Sequence, residues 1–221
     1  MKTIISIFFL SLMPISFNAQ EKKAEEIKPS EENLIEQLKL WDDKLLYLKA
    51  DFKQEVNFTD VEIKQNVEGK LFYKKPNNLR IEHIKPNKQA IITDKKDIYV
   101  AKIKDKQLIK TSWETWKKSQ PNSGLLDFGD YKKLISENDI KLIDAKNGYT
   151  LEFKNKEKSK LYTLTITLSK EDFFPIEATL SAGNTIIKTT LYNVEKNKEI
   201  EQSKFDISEF KKYEILDLYK K

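Results

Sequence analysis

Between Leu34 and Leu48 the apolar residues Leu34, Leu38, Trp41, Leu45 and Leu48 recur at steps of four, three, four and three, with Glu36, Lys39, Asp43 and Lys44 between them. That spacing lays one apolar stripe along a helix of about 3.6 residues per turn. Ser30 precedes the stripe as an N-cap, and Glu31 and Glu32 put carboxylates at the positive end of the helix dipole. From Ala50 the period shortens to two. Ala50, Phe52, Gln54, Val56 and Phe58 alternate with Lys49, Asp51, Lys53, Glu55 and Asn57, so the two sets fall on opposite faces of a half-buried strand. Further strands are predicted at 67–74, 79–84, 89–93, 98–103, 107–112, 140–144, 149–153, 161–168, 176–181 and 185–192. Connections such as Pro76-Asn77-Asn78, Lys104-Asp105-Lys106, Asn147-Gly148 and Gly183-Asn184 are too short for crossover helices and predict hairpins. Residues 113–138 break the rhythm, and Leu125, Leu126, Phe128, Tyr131, Leu134 and Ile135 predict one or two short amphipathic helices there.

The pattern describes a mainly β (α+β) chain of about eleven antiparallel strands and two or three helices. A meander of that length closes into a barrel, splits into a sandwich, or curls around its helices. The helix before the first strand and the helical insertion within the meander both need a sheet surface to cover. That need favours an incomplete antiparallel β-barrel with a helical lid.

At the N-terminus, Met1-Lys2-Thr3 leads into a mostly apolar run at 4–17 and then into Asn18-Ala19-Gln20. The run is shorter than the roughly 20 residues of a spanning helix. With its basic start and small residue before a polar stretch it predicts a signal peptide at 1–19, cut after Ala19. Residues 20–29, QEKKAEEIKP, are too polar to offset the entropy of ordering and predict a flexible leader. Residues 30–221 remain as one domain. The 40 Lys and Arg against 35 Asp and Glu leave a net +5, interspersed along the chain and not gathered into a nucleic-acid-binding tail. The expectation is a soluble monomer exported to the periplasm, not lipid-anchored, since no cysteine lies near the cut.

Composition removes most enzyme chemistry. The chain has no cysteine and one histidine, His83, which excludes disulfides, thiolate nucleophiles, zinc–thiolate and multi-histidine sites. Its five glycines form neither a dinucleotide fingerprint nor a P-loop. Asp42 and Asp43 are adjacent on the helix and point about 100° apart, which makes them two solvated carboxylates and not an acid pair. His83 reads as a plain strand histidine. No cofactor is called for, and the chain does not read as an enzyme. Arg80 is the single arginine, so its position calls for a planar, multi-donor group. Alternation turns it away from Leu79 and Ile81, toward the neighbours of Glu82 across a hairpin, toward a lid carbonyl, or simply to the surface. The lysine-rich stretch 102–118, with Trp113 and Trp116, reads as a solvated hairpin or, alternatively, as a docking face for an acidic partner or a membrane surface.

Phe52-Lys53-Gln54, Gly69-Lys70-Leu71, Lys75-Pro76-Asn77-Asn78-Leu79-Arg80, Pro86, Asp94, Tyr99 and the late Lys204-Phe205-Asp206 together resemble the periplasmic outer-membrane lipoprotein carrier (LolA-like) family. The resemblance implies an incomplete barrel whose lidded apolar cavity shields the acyl chains of lipid-modified proteins. These are received from an inner-membrane ABC exporter and passed to an outer-membrane receptor or to the outer membrane directly. A carrier of another lipid or glycolipid, or an envelope-stress sensor, is the alternative on the same fold. Candidate cavity residues are Trp41, Leu45, Val56, Leu71, Tyr73, Leu79, Ile81, Ile91, Tyr99 and Leu126, with Lys75 and Arg80 as lid or gating residues. Two departures stand out: Lys95 occupies a position where the family often has glycine, so the turn there is expected to differ. Lys75 stands where arginine is frequent, and its ammonium lacks the planar fork.

Overall fold

The computed structural model describes residues 29–119, 130–143, 148–157 and 162–219. The expectations for the signal peptide, for all of the leader but Pro29, for Leu126 and for Asn147 lie outside the described residues. The chain runs α1 (Glu31–Lys44), β1 (Tyr47–Phe58), β2 (Ile63–Lys74), β3 (Asn78–Lys85), β4 (Gln89–Thr93), β5 (Asp97–Lys102) and β6 (Gln107–Ser112). It continues through α2 (Trp113–Ser119), α3 (Tyr131–Glu137), β7 (Asn138–Ile143), β8 (Tyr149–Asn155), β9 (Tyr162–Leu168), β10 (Pro175–Ala182), β11 (Thr185–Lys196) and β12 (Glu214–Asp217). Between β11 and β12 lie two 3-10 turns, Gln202–Phe205 and Ser208–Phe210.

The strands form a single sheet in the order β12-β6-β5-β4-β3-β2-β1-β11-β10-β9-β8-β7. Two runs of hairpins, β2 to β6 and β7 to β11, meet at β1, which pairs antiparallel with β2 on one side and β11 on the other. The sheet is open, with β12 and β7 at its edges, and is not closed into a barrel. Among the described residues the strands number twelve against the expected eleven, because the four residues of β12 are too few to show a period. This strand joins β6 in parallel, unlike every other pair in the sheet.

Helix α1 begins as its sequence specifies, with the Ser30 hydroxyl accepting from the Asn33 amide at 3.2 Å. Its end does not follow the stripe. The helix stops at Lys44, Leu45 is extended, and Leu48 belongs to β1. Leu48 also fits the period of two that runs through Ala50 and Phe52, and the strand pairing decides in its favour.

The three helices cover one face of the sheet. Against that face, Leu48, Phe52, Leu71, Tyr73, Leu79, Ile81, Ile98 and Val100 form one core cluster, joined by Leu45 and by the half-buried Trp113 and Trp116 around α2. These tryptophans thus pack against the core and do not stand free on the surface. A second cluster sets Leu34 and Leu38 of α1 and Tyr131 of α3 on Leu151, Phe153, Ile166 and Leu168 of β8 and β9. Trp41 packs against both. On the opposite face Ala90, Ile92, Ala101 and Leu108 pack under Phe210, which belongs to the segment crossing from β11 to β12. We call this segment the strap.

Two local details show how tightly the first hairpins are specified. Gly69 lies opposite Phe52 in the β1–β2 register, and a Cβ at position 69 would stand 2.5 Å from the Phe52 ring and 2.2 Å from the Glu82 carbonyl oxygen. Phe52 therefore fills the volume that a side chain at 69 would need. In the β4–β5 turn, Lys95 adopts φ +64°, the left-handed conformation that glycine takes without strain. The turn expected to differ here keeps the glycine-type backbone instead. Asp94 supports it, its carboxylate accepting from the Lys96 and Asp97 amides at 2.9 Å each.

Candidate functional site

The helix-covered face gathers most of the residues singled out from sequence. Leu45, Leu71, Tyr73, Leu79, Ile81 and Ile91 are all buried in the larger core cluster, and Trp41 bridges from it to the cluster under α1. Val56 lies on the same face of β1, opposite Ile187 of β11, and is half buried. Tyr99 does not join them. In β5 it alternates with Ile98 and Val100, which face the helices, so Tyr99 points to the strap side and packs beside Ala101 and Phe210.

Polar contacts fix the helices at one end of this face. The Lys75 ammonium, from the turn between β2 and β3, donates to the carbonyls of Asp42 at 2.8 Å and Asp43 at 3.3 Å, groups left without helical partners at the end of α1. A lysine thus supplies the helix-end contact, with a positive charge at the negative end of the helix dipole. Asn197, just past β11, closes the same corner. Its side-chain oxygen accepts from Leu46 and Tyr47 at 2.8 and 3.3 Å, and its amide donates to the Lys44 carbonyl at 3.0 Å.

Asp42 and Asp43 diverge as the helix geometry requires, yet they are not simply solvated. The Asp42 carboxylate accepts from the backbone amides of Tyr131 at 2.9 Å and Lys132 at 2.6 Å, the first two residues of α3. Asp43 pairs with the Lys132 ammonium at 2.7 Å. One turn of α1 is therefore tied to the sheet through Lys75 and to α3 through Asp42. Nearby, burial together with Asp42 and Asp130 pushes the Tyr73 phenol up to about 12, so its hydroxyl stays a donor, 3.3 Å from the Pro76 carbonyl oxygen. On the other flank, the Lys196 ammonium lies over the rings of Trp41 and Phe174, 5.5 and 5.1 Å from their centroids, and pairs with Asp172. Trp41 Nε1 donates to the Asp172 carbonyl at 3.3 Å.

Arg80 belongs to the other face. It is 5% exposed, and its fork serves three acceptors: Nε to Glu82 at 2.7 Å, one terminal nitrogen to the Lys204 carbonyl at 3.2 Å, and the other to the Glu209 carboxylate. Lys204 completes the network, 2.8 Å from Glu82 and 4.4 Å from the Phe72 ring centroid. Burial pushes the Glu82 carboxyl up, but Lys204 and Arg80 outweigh it and hold the group below the usual carboxylate range. Placed by sequence at the lid, Arg80 instead anchors the strap, on the side of the sheet away from α1. The acceptors Lys204 and Glu209 lie more than a hundred residues further along the chain, beyond the reach of strand alternation.

His83 lies against Phe52, ring centroids 5.9 Å apart, and burial lowers its pKa. Among the described residues no cluster of His, Asp and Glu could hold a metal ion, and no helix is long and apolar enough to cross a membrane. What the site offers is an extended apolar sheet face under helices tied down at their ends.

The comparisons with known proteins bear on this arrangement. A family model described as "Outer membrane lipoprotein carrier protein LolA" matches residues 43–208. No curated protein matches in sequence. Among solved structures, an uncharacterized conserved protein from Thermus thermophilus superposes with a TM-score of 0.55 at 8% identity, covering 84% of this chain and 98% of that one. A chain of the Pseudomonas aeruginosa MucA/MucB complex gives 0.50 at 11% identity, covering 80% of this chain and 60% of that one. A LolA superfamily protein from Nitrosomonas europaea gives 0.45 at 12% identity, covering 81% and 98%.

Proposed function

The chain belongs to the outer membrane lipoprotein carrier protein LolA family, and from that premise we propose that it ferries lipid-modified proteins across the bacterial periplasm. After removal of residues 1–19 it takes acyl chains presented by an inner-membrane ABC exporter. It yields them to an outer-membrane receptor or to the outer membrane itself. The observation that carries this reading is the helix-covered face, where apolar residues run from Leu79 and Ile81 across Trp41 to Phe153 and Ile166. Polar ties hold α1 at its C-terminal end through Lys75, Asp42 and Asn197, and at its N-terminal end through Glu31, whose carboxylate accepts from the Leu142 amide of β7 at 2.6 Å.

The job needs no nucleophile and no general base. Each methylene moved from water onto an apolar surface contributes about 0.8 kcal/mol. A multi-chain anchor therefore competes effectively with the side chains of α1 and α3 for the sheet face. Under this mechanism α1 and α3 act as the lid. Leu71, Tyr73, Leu79, Ile81 and Ile91 form the floor that acyl chains come to share, with Trp41 and Leu45 above it and Val56 toward the half-buried end of β1. Lys75 acts as the latch at the end of α1.

The test is native mass spectrometry of the mature protein after incubation with spheroplasts exporting a tagged, triacylated lipoprotein. A soluble one-to-one complex, lost when the exported protein lacks its acyl chains, is the expected result. A complex that persists without acylation, or recovery of a free lipid or glycolipid in its place, would overturn the lipoprotein-carrier reading.

A further inference from the structure

The cover of the sheet ends one strand short of its edge. In the β12–β6 register Ile215 lies opposite Leu108, and Leu216 opposite Ile109. Leu108 is buried under the strap and Ile109 is packed against the core, so the two β6 side chains find cover on opposite faces. Among the described residues their β12 neighbours find little: Ile215 is 59% exposed and Leu216 44%. Leu218 and Tyr219 follow at 46% and 49%. The segment is nevertheless held in place. The Leu218 amide donates to the Lys110 carbonyl at 2.9 Å, the Tyr219 hydroxyl donates to Asp97 at 2.6 Å, and the Lys110 ammonium lies 5.3 Å from the Tyr219 ring centroid.

The surroundings are basic. Along 102–110 and 211–219 the exposed charged residues are Lys102, Lys104, Lys106, Lys211 and Lys212 against Asp105 and Glu214. The Glu214 amide donates to the Lys106 carbonyl at 2.9 Å, which sets the start of the apolar strand beside the lysine-rich turn. Elsewhere, the exposed Val61 and Ile63 at the β1–β2 turn stand beside Asp60 and Glu62. Of these two patches, the one at β12 joins exposed apolar side chains to an excess of lysine.

We propose that this rim docks the protein onto a membrane surface carrying anionic lipid. An added strand from a partner would satisfy the free backbone edge of β12. It would flank Ile215 and Leu216 only from the side and leave the outer surface of each, on opposite faces of the sheet, in water. An interfacial bed of lipid covers both faces at once, seats a tyrosine at headgroup depth, and neutralises the lysines around it. The docking surface lies at the sheet edge and involves none of the residues assigned to acyl-chain binding, so it stands or falls separately from the carrier reading.

The experiment is co-sedimentation of the mature protein, free of cargo, with vesicles of phosphatidylcholine alone and of a two-to-one mixture of phosphatidylcholine and phosphatidylglycerol. Binding is expected only to the anionic vesicles, and it weakens as salt is raised. The pair Ile215→Ser with Leu218→Ser reduces it by about tenfold or more. The pair Lys104→Gln with Lys211→Gln reduces it by about fivefold for each lysine removed. All four positions are exposed, and circular dichroism confirms that the variants fold. Absence of binding to either vesicle, or binding that neither pair changes, would overturn the proposal. So would a concentration-dependent dimer abolished by the Ile215 and Leu218 pair without any vesicle binding, which would make the rim a self-pairing edge.

Discussion

In β9 the side chains turned away from the helices are Thr163, Thr165 and Thr167, whereas the matching positions of β4 are Ala90 and Ile92, both buried beneath Phe210. The same contrast separates the two halves of the sheet. In β8 and β9 one face meets α1 and α3, and on the other Glu152 and Thr165 are only partly buried, Thr150 being buried through its hydroxyl contact with Thr167 at 2.9 Å. From β3 to β6 the core lies beneath one face and the strap across the other. Strands covered on one side alternate, whereas β4 and β5, covered on both, carry unbroken apolar runs; β3 alternates and meets the strap through the buried Arg80. A run such as Ala90-Ile91-Ile92 therefore signals a second cover.

If the strap is a true second cover, breaking it should cost most. Phe210→Ala is expected to lower stability by about 3–5 kcal/mol in chemical denaturation. Hydrogen exchange should accelerate in β12 and in β4 to β6, with protection in β8 and β9 unchanged. A uniform loss across the sheet would show that the halves are not separable. Arg80→Lys comes next, at about 2 kcal/mol, because one ammonium cannot serve Glu82, the Lys204 carbonyl and Glu209 together. This effect depends on pH. Glu82 titrates lower in the fold than in the unfolded chain, so its contribution is complete above the unfolded value. It disappears as pH falls through the lower folded value. In Arg80→Lys that acid-range slope should flatten, which urea melts at a series of acid pH values would detect. Smallest is Thr165→Val on the one-sided half, expected to change stability by no more than about 0.5 kcal/mol. A larger loss would mean that this face too has a cover.

Much of the architecture was legible because strand periodicity is local. Gln89–Thr93 and Gln107–Ser112 form strands with the boundaries expected, and Ser30 caps α1 as its chemistry requires. What escaped depends on partners remote in sequence. The end of α1 is set by Asn197 and Lys75, not by a glycine or proline within the helix. Asp42 looks like one more surface carboxylate until α3 presents its first amides to it. Tyr99 shares the apolar character of the cavity candidates, but its neighbours Ile98 and Val100, one step away on either side, own that face. Strict alternation through β5 assigns Tyr99 to the strap side. The three-acceptor role of Arg80 was foreshadowed by its being the only arginine, but nothing local names the strap as what it holds.

The position of β1 bears on how the chain folds. Its pairing with β2 is local and needs only a short turn, so hairpins from β1 to β6 can form in sequence as neighbours meet. Its pairing with β11, and the Asn197 bond to Leu46 across 151 residues, require nearly the whole chain to be present and the largest loop to close. The joint between the halves, and with it the seat of α1, is therefore the slow and late step of assembly. A chain truncated before Thr185, which lacks β11 as well as Asn197, should form early hairpins yet leave the joint at β1 open.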